Sequence, residues 1–149
     1  FLGIWPAIWM LPNDNSCDPD EGEMDIMEMI NGDGIAYSTY HWETTYPASN
    51  CSYPDGHEQE TQATKVPTFA TEYHEYSMES TLSGIVYAID GIAVTTISSS
   101  DRRKPVFWDR PFYLIINTAV GGGWPGSPDE KTLFPTYHLV DYVQVVQKV

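Results

Sequence analysis

The stretch that most constrains this chain is Gly22-Glu23-Met24-Asp25-Ile26-Met27-Glu28-Met29-Ile30, which sets three carboxylates into otherwise apolar, strand-like sequence. Side chains alternate between the faces of a regular strand, so Glu23 and Asp25 would share one face and Glu28 would join Met24 and Ile26 on the other. That register buries a charge among apolar groups. One extra residue, accommodated as a β-bulge around Ile26 and Met27, returns Glu28 to the face of Glu23 and Asp25 and sends the apolar residues to the core. The expectation is a bulged strand with three acids on one surface. An acidic edge strand that only discourages aggregation is the plainer alternative.

Two carboxyl groups about 5–5.5 Å apart are what double-displacement glycoside hydrolysis requires, one as nucleophile and one as acid and then base. The pattern Glu23-x-Asp25-x-x-Glu28, preceded by Trp5-Pro6-Ala7-Ile8-Trp9-Met10-Leu11, resembles family 16 of the glycoside hydrolases. Met27 gives it the longer spacing of the laminarinase, agarase and carrageenase branches, whereas lichenases and xyloglucan transglycosylases lack that residue. A second stretch, Phe112-Tyr113-Leu114-Ile115-Ile116-Asn117-Thr118-Ala119-Val120-Gly121-Gly122-Gly123-Trp124-Pro125-Gly126, resembles the strand and glycine-rich loop of laminarinase-like members. Consecutive glycines let backbone approach a ligand closely, and Trp124 offers a flat surface suited to a pyranose ring. No Lys-Ser/Thr pair follows the glycines, which argues against a phosphate loop.

The resemblance implies roles for particular residues. Glu23 is expected to be the nucleophile, Glu28 the acid/base, and Asp25 the group between them that tunes both, since clustered carboxylates do not all ionise freely. Trp9 and Trp124 are expected to contact sugar. Trp5 divides evenly between core and platform, and His41 corresponds to a cleft histidine near the acid. Asp141 matches a position that binds structural calcium in many members, although one carboxylate does not make a site of roughly six to eight oxygens. No cofactor is implied for catalysis. The segment 74–80 departs from the family, with Ser80 where a tryptophan is usual.

Composition narrows the partners. With 149 residues and 42% hydrophobic content, the chain suits one domain with a sizeable core. Its formal net charge of -14 opposes nucleic acid and anionic membrane surfaces and disfavours a sulfated polysaccharide, so a neutral β-glucan fits best. No apolar run reaches the roughly 18 residues of a membrane span, and no positively charged leader opens the sequence. An extracellular location follows from the resemblance alone. Cys17 and Cys51 are the only cysteines. They form either one disulfide, contributing about 3–4 kcal/mol in the chain-entropy model, or two buried thiols.

Strand patterns dominate the chain. Residues 1–11 carry Trp5, Ala7 and Trp9 on one face and Ile4, Ile8 and Met10 on the other, with Pro6 requiring a free or bulged backbone position. Residues 35–42 alternate and place His41 on a strand. Residues 73–80, 84–89, 92–98, 112–120 and 138–146 read as further strands, and Asp90-Gly91 is a strong hairpin signal. Residues 12–22 and 43–67 read as loops, the second rimming a cleft. Strand runs without helical stripes argue for a β-sandwich. The resemblance sharpens this to an all-β jelly roll, concanavalin-like, with a cleft across the concave sheet.

The expectation is therefore a retaining endo-hydrolase of laminarin-type β-1,3-glucan. The alternatives are an agarase-like branch or a non-catalytic β-glucan-recognition protein, which has no need of the three acids. Family domains carry several strands before Trp-Pro-Ala, so residues 1–149 are expected to be the C-terminal portion of a catalytic domain.

Overall fold

A computed structural model describes residues 1–13, 19, 22–44, 56–100 and 110–147. Among these, regular structure is entirely strand: β1 (Ile4–Pro12), β2 (Glu23–Glu28), β3 (Ile35–Glu43), β4 (His57–Lys65), β5 (Tyr76–Thr81), β6 (Gly84–Ile89), β7 (Ile92–Ser98) and β8 (Phe112–Val120). They form a five-stranded sheet in the order β4-β3-β2-β1-β8 and a three-stranded sheet in the order β5-β6-β7. Every pairing is antiparallel. The chain is an all-β sandwich with the jelly-roll architecture that the resemblance implies.

The inner faces of the two sheets share the apolar residues of alternating positions. Met24, Tyr40 and Trp42 pack against Ile85, Tyr87 and Ile97 in one cluster, and Met27, Met29 and Ala36 pack against Val66 and Ile89 in a second. Burying each large side chain contributes about 1.5–3 kcal/mol. The Tyr87 hydroxyl donates to the Thr39 carbonyl at 2.9 Å, so its polar end is satisfied inside the core.

The expected bulge is present. Glu23, Asp25 and Glu28 lie opposite His41, Thr39 and Tyr37, so both Ile26 and Met27 face the single residue Ser38. On the other side Trp9 pairs with Asp25 and Ile8 with Met27, which leaves Ile26 as the unpaired residue. A bulge strands backbone polar groups, and Ser38 meets one of them: its buried hydroxyl donates to the Ile26 carbonyl at 3.0 Å. Pro6 lies opposite Thr118, and its carbonyl accepts from Met29 just past the end of β2. The amide proton that proline lacks would point toward that same end, where the ladder has stopped.

The hairpin is also as the sequence indicates. Asp90 and Gly91 have φ of 52° and 74°, the two left-handed positions of a tight turn matching strand twist. The His74 ring, 2.8 Å from Asp90, and the Glu75 amide, 2.9 Å from it, bind the turn to the incoming chain, so the strand begins at Tyr76 rather than at residue 73.

Four expectations require correction or delimitation. Residues 57–65, read as loop, are the strand β4, an edge strand wet on much of both faces whose Glu, Gln and Thr residues carry no apolar alternation. Residues 138–146, read as a strand, form none, because alternation cannot make a ladder without an adjacent strand, and none pairs with them among the described residues. Ser80 is exposed on β5. Cys17, Cys51 and most of the 12–22 loop lie outside the described residues.

Ser38→Ala should lower stability by roughly 1–3 kcal/mol, because the Ile26 carbonyl is left unpaired in a buried place. Denaturant unfolding measures this, and an unchanged midpoint would contradict it. Deleting Met27 removes the extra residue and should turn Glu28 from its partner Trp5, visible as loss of the hydrogen-bonded indole proton resonance of Trp5.

Candidate active site

Residues directly opposite in a ladder share a face, so the pairing registers define one continuous surface. Its central row is Glu23, Asp25 and Glu28 on β2. His41, Thr39 and Tyr37 lie beside them on β3, with Gln59, Thr61 and Ala63 of β4 beyond. On the other flank lie Trp9, Ala7 and Trp5 of β1, then Ile115, Asn117 and Ala119 of β8. The bulge is what admits Glu28 to this surface.

Each end of the acidic row has an aromatic N–H group beside it. The Trp5 indole donates to Glu28 Oε1 at 3.0 Å. His41 Nε2 lies 2.8 Å from Asp25 Oδ2 and 4.0 Å from Glu23 Oε1. His41 therefore sits beside the Glu23–Asp25 pair, and its pull also reaches Glu28. Asp25 is almost fully enclosed, with 2% of its surface exposed.

Burial dominates the titration of all three groups. Glu23 is raised to about 8 by desolvation first and by the charge of Asp25 second, against which His41 pulls downward. Asp25 is raised to about 7 by desolvation, its hydrogen bond with Glu23 opposing the shift. Glu28 is raised to about 7 by desolvation and then by Asp25, with the Trp5 hydrogen bond opposing. These groups titrate as one cluster. Near neutral pH the row retains protons, so one carboxyl can donate while a neighbour carries charge.

The aromatic residues extend from the Glu28 end. Trp124 meets Trp5 edge-on at 5.4 Å between ring centroids and Tyr37 at 4.9 Å, while 43% of its surface remains exposed. Gly122 has φ of 136°, and a Cβ there would sit 3.5 Å from the Trp5 ring, so the glycine loop lies directly against that indole. Trp9 donates its indole proton to Asn117 Oδ1 at 2.8 Å, which fixes its ring on the exposed flank. Trp5, Trp9, Trp124 and His41 are thus all brought to the acidic row.

Sequence reasoning missed Tyr37, Asn117 and His57. Asn117 was detectable as the lone amide in an apolar run, and Tyr37 shares the alternation of His41. His57 was hidden because its strand read as loop.

Asp141 is not brought to the row. It is exposed, and no group of three acidic, histidine or cysteine side chains forms around it among the described residues. The trio of Glu23, Asp25 and His41 has its donor atoms within 4.8 Å of one another. A hydrogen bond between His41 and Asp25 accounts for that closeness.

A jelly roll bearing paired glutamates beside one exposed and two half-buried tryptophans defines a carbohydrate-directed β-sandwich. Residues 2–144 match the family profile described as glycosyl hydrolases family 16, and the chain belongs to that family. It is 34% identical over 160 residues to a beta-glucanase of Rhodothermus marinus, covering 99% of this chain and 53% of that protein. It is 35% identical over 160 residues to glucan endo-1,3-beta-glucosidase A1 of Niallia circulans, covering 98% and 22% respectively. The laminarinase catalytic domain of Thermotoga maritima superposes with a TM-score of 0.72 at 33% identity, covering 89% of this chain and 53% of that one. The chain thus spans about half the length of the beta-glucanase and of the laminarinase domain. Members of the family need no cofactor for catalysis.

A carboxyl whose folded pKa lies above its unfolded value stabilises the fold fully below the unfolded pKa, about 4.3 for Glu, and loses that contribution as pH rises through the folded value. With Glu23 at about 8, the loss runs from about pH 4 to beyond 8. Glu23→Gln should therefore raise the melting temperature by several degrees at pH 8.5 and by much less at pH 4, as calorimetry would show. An equal change at both values would contradict the burial of this charge.

Proposed function

We propose that this chain carries the catalytic face of a retaining endo-β-1,3-glucanase acting on neutral, laminarin-type glucan. The observation that supports it most is the bulge of β2, which sets Glu28 on the face of Glu23 with desolvation holding both in the range where a proton is exchanged near neutral pH. Glu23 attacks the anomeric carbon while Glu28 delivers its proton to the glycosidic oxygen, and the carbon–oxygen bond to the leaving sugar breaks. The product of this step is a glycosyl ester on Glu23. Glu28, now a carboxylate, takes a proton from water as the water oxygen attacks the same carbon, which frees Glu23 and restores the configuration. One proton shared between Asp25 and Glu23 holds the two carboxyls together by hydrogen bonding, and Trp124 and Trp9 offer ring faces to sugar.

The relatives described as a beta-glucanase and a glucan endo-1,3-beta-glucosidase support the substrate class, and the net charge of -14 favours a neutral polysaccharide over a sulfated one. Action outside the cell accords with a polymeric substrate. No helix among the described residues is long and apolar enough to cross a membrane.

Reducing-end release from laminarin, compared with agarose and lichenan, tests the substrate. Azide tests the roles. With an activated β-glycoside, Glu23→Ala should give an α-glycosyl azide by one displacement through the space the nucleophile vacates. Glu28→Ala should still form the ester on Glu23 and give a β-glycosyl azide when azide intercepts it. Each unrescued variant should fall by about 10²–10⁴-fold or more in kcat on the polymer. The same anomer from both variants would overturn the assignment, and the opposite pair would reverse it.

A further inference from the structure

His57 opens β4, the edge strand that the sequence disguises, and it stands opposite Glu43, diagonal to His41. Its ring lies on that of His41 at 5.1 Å between centroids and 26° between planes, and its Nε2 is 3.1 Å from His41 Nδ1. His41 in turn reaches Asp25 with its other nitrogen at 2.8 Å, and Asp25 is hydrogen-bonded to Glu23. A line of polar contacts therefore runs from the sheet edge inward to the carboxyl pair.

We propose that His57 is a positioning residue: by occupying Nδ1 of His41 it holds the ring with its Nε2–H aimed at Asp25, and so holds the hydrogen bonding of the Glu23–Asp25 pair. A neutral imidazole carries one ring proton, and the partner of one nitrogen decides whether the other donates. If Nδ1 had no fixed partner, the Nε2–H form would compete with a form presenting a lone pair to the Asp25 oxygen. With the Asp25 oxygen as acceptor at Nε2, the arrangement that pairs every atom has His57 Nε2–H donating to the lone pair of His41 Nδ1, because the reverse direction would set the lone pair of His41 Nε2 against the Asp25 oxygen. The stacking of the rings keeps His41 from flipping. Among the described residues, the titratable groups on the face of His41 are Glu23, Asp25 and Glu28 on β2, Tyr37 and Glu43 on its own strand, and His57 on β4. The Nε2–H of His41, 2.8 Å from Asp25, favours the ionised carboxylate.

Nitrogen NMR and kinetics test this on the intact protein, with the kinetic arm alone resting on the nucleophile assignment to Glu23. In the wild type, a coupling across the hydrogen bond between His57 Nε2 and His41 Nδ1 is expected, together with a protonated His41 Nε2. His57→Phe keeps a ring and removes the hydrogen bond. It should abolish the coupling, move the His41 nitrogens toward a mixture of tautomers, and lower kcat about tenfold with KM little changed. It should also move the acid limb of the kcat/KM profile to higher pH, since Asp25 and Glu23 then hold their proton more tightly. His57→Gln places an amide at the same position and should restore both the Nε2-protonated form of His41 and most of kcat. A wild type without the coupling would overturn the proposal, as would a His57→Phe variant with unchanged His41 resonances or a His57→Gln variant as impaired as it. Should His57→Phe fail to fold, the wild-type coupling and His57→Gln decide. A protein inactive on every glucan would refute the proposed function while leaving the NMR arm to test the histidine pair.

Discussion

The site depends on one extra residue in β2. Period-two alternation would place Glu28 among Met24, Tyr40 and Tyr87, where a carboxylate has no partner, and the bulge at Ile26–Met27 reverses that parity within a single pairing unit. The reversal exposes backbone polar groups that a regular ladder would pair, and the Ser38 hydroxyl answers one of them from inside the sandwich. Two apolar residues in succession, Ile26 and Met27, both turn inward, and each packs against a different core cluster. The geometry of the acidic row and core packing are therefore set by the same local event.

The electrostatics follow from that geometry. Burial raises the proton affinity of all three carboxyls and the charge of Asp25 adds to it for Glu23 and Glu28, and the protein meets them with ring N–H donors from the flanking strands, Trp5 for Glu28 and His41 for Asp25. The opposing pulls leave the cluster titrating around neutral pH, which a pair of ordinary surface glutamates would not do. Trp5 also joins the acid to the aromatic surface, because the same indole that donates to Glu28 meets Trp124 and backs onto Gly122. A sugar ring resting on Trp124 would lie on the side of the row where Glu28, the proposed acid, stands.

What was legible in the sequence was whatever violated a period or carried a turn signature. Glu28 violated strand alternation and revealed the bulge, Asp90-Gly91 specified its hairpin, and the apolar run at 112–120 matched β8 to the residue. β4 was illegible because an edge strand with much of both faces in water needs no hydrophobic pattern, so His57 was lost with it. Residues 138–146 misled for the opposite reason: their alternation is real, but strand formation depends on a neighbour, and Tyr142 and Val145 are exposed. The Trp5–Glu28 and Trp9–Asn117 bonds join positions 23 and 108 residues apart, and no local pattern encodes them. The place of His41 beside Asp25 follows from the β2–β3 register and not from its spacing along the chain.

The central claim is that the bulge makes Glu23 the group that attacks, with Glu28 facing it across the row and Asp25 serving only to hold it. Trapping the glycosyl–enzyme with a 2-fluoro glucoside bearing a good leaving group, followed by peptide mass spectrometry, tests that claim most directly. The account predicts a single modified site, Glu23, within the peptide spanning β2. Modification of Asp25 or Glu28 in its place would contradict it.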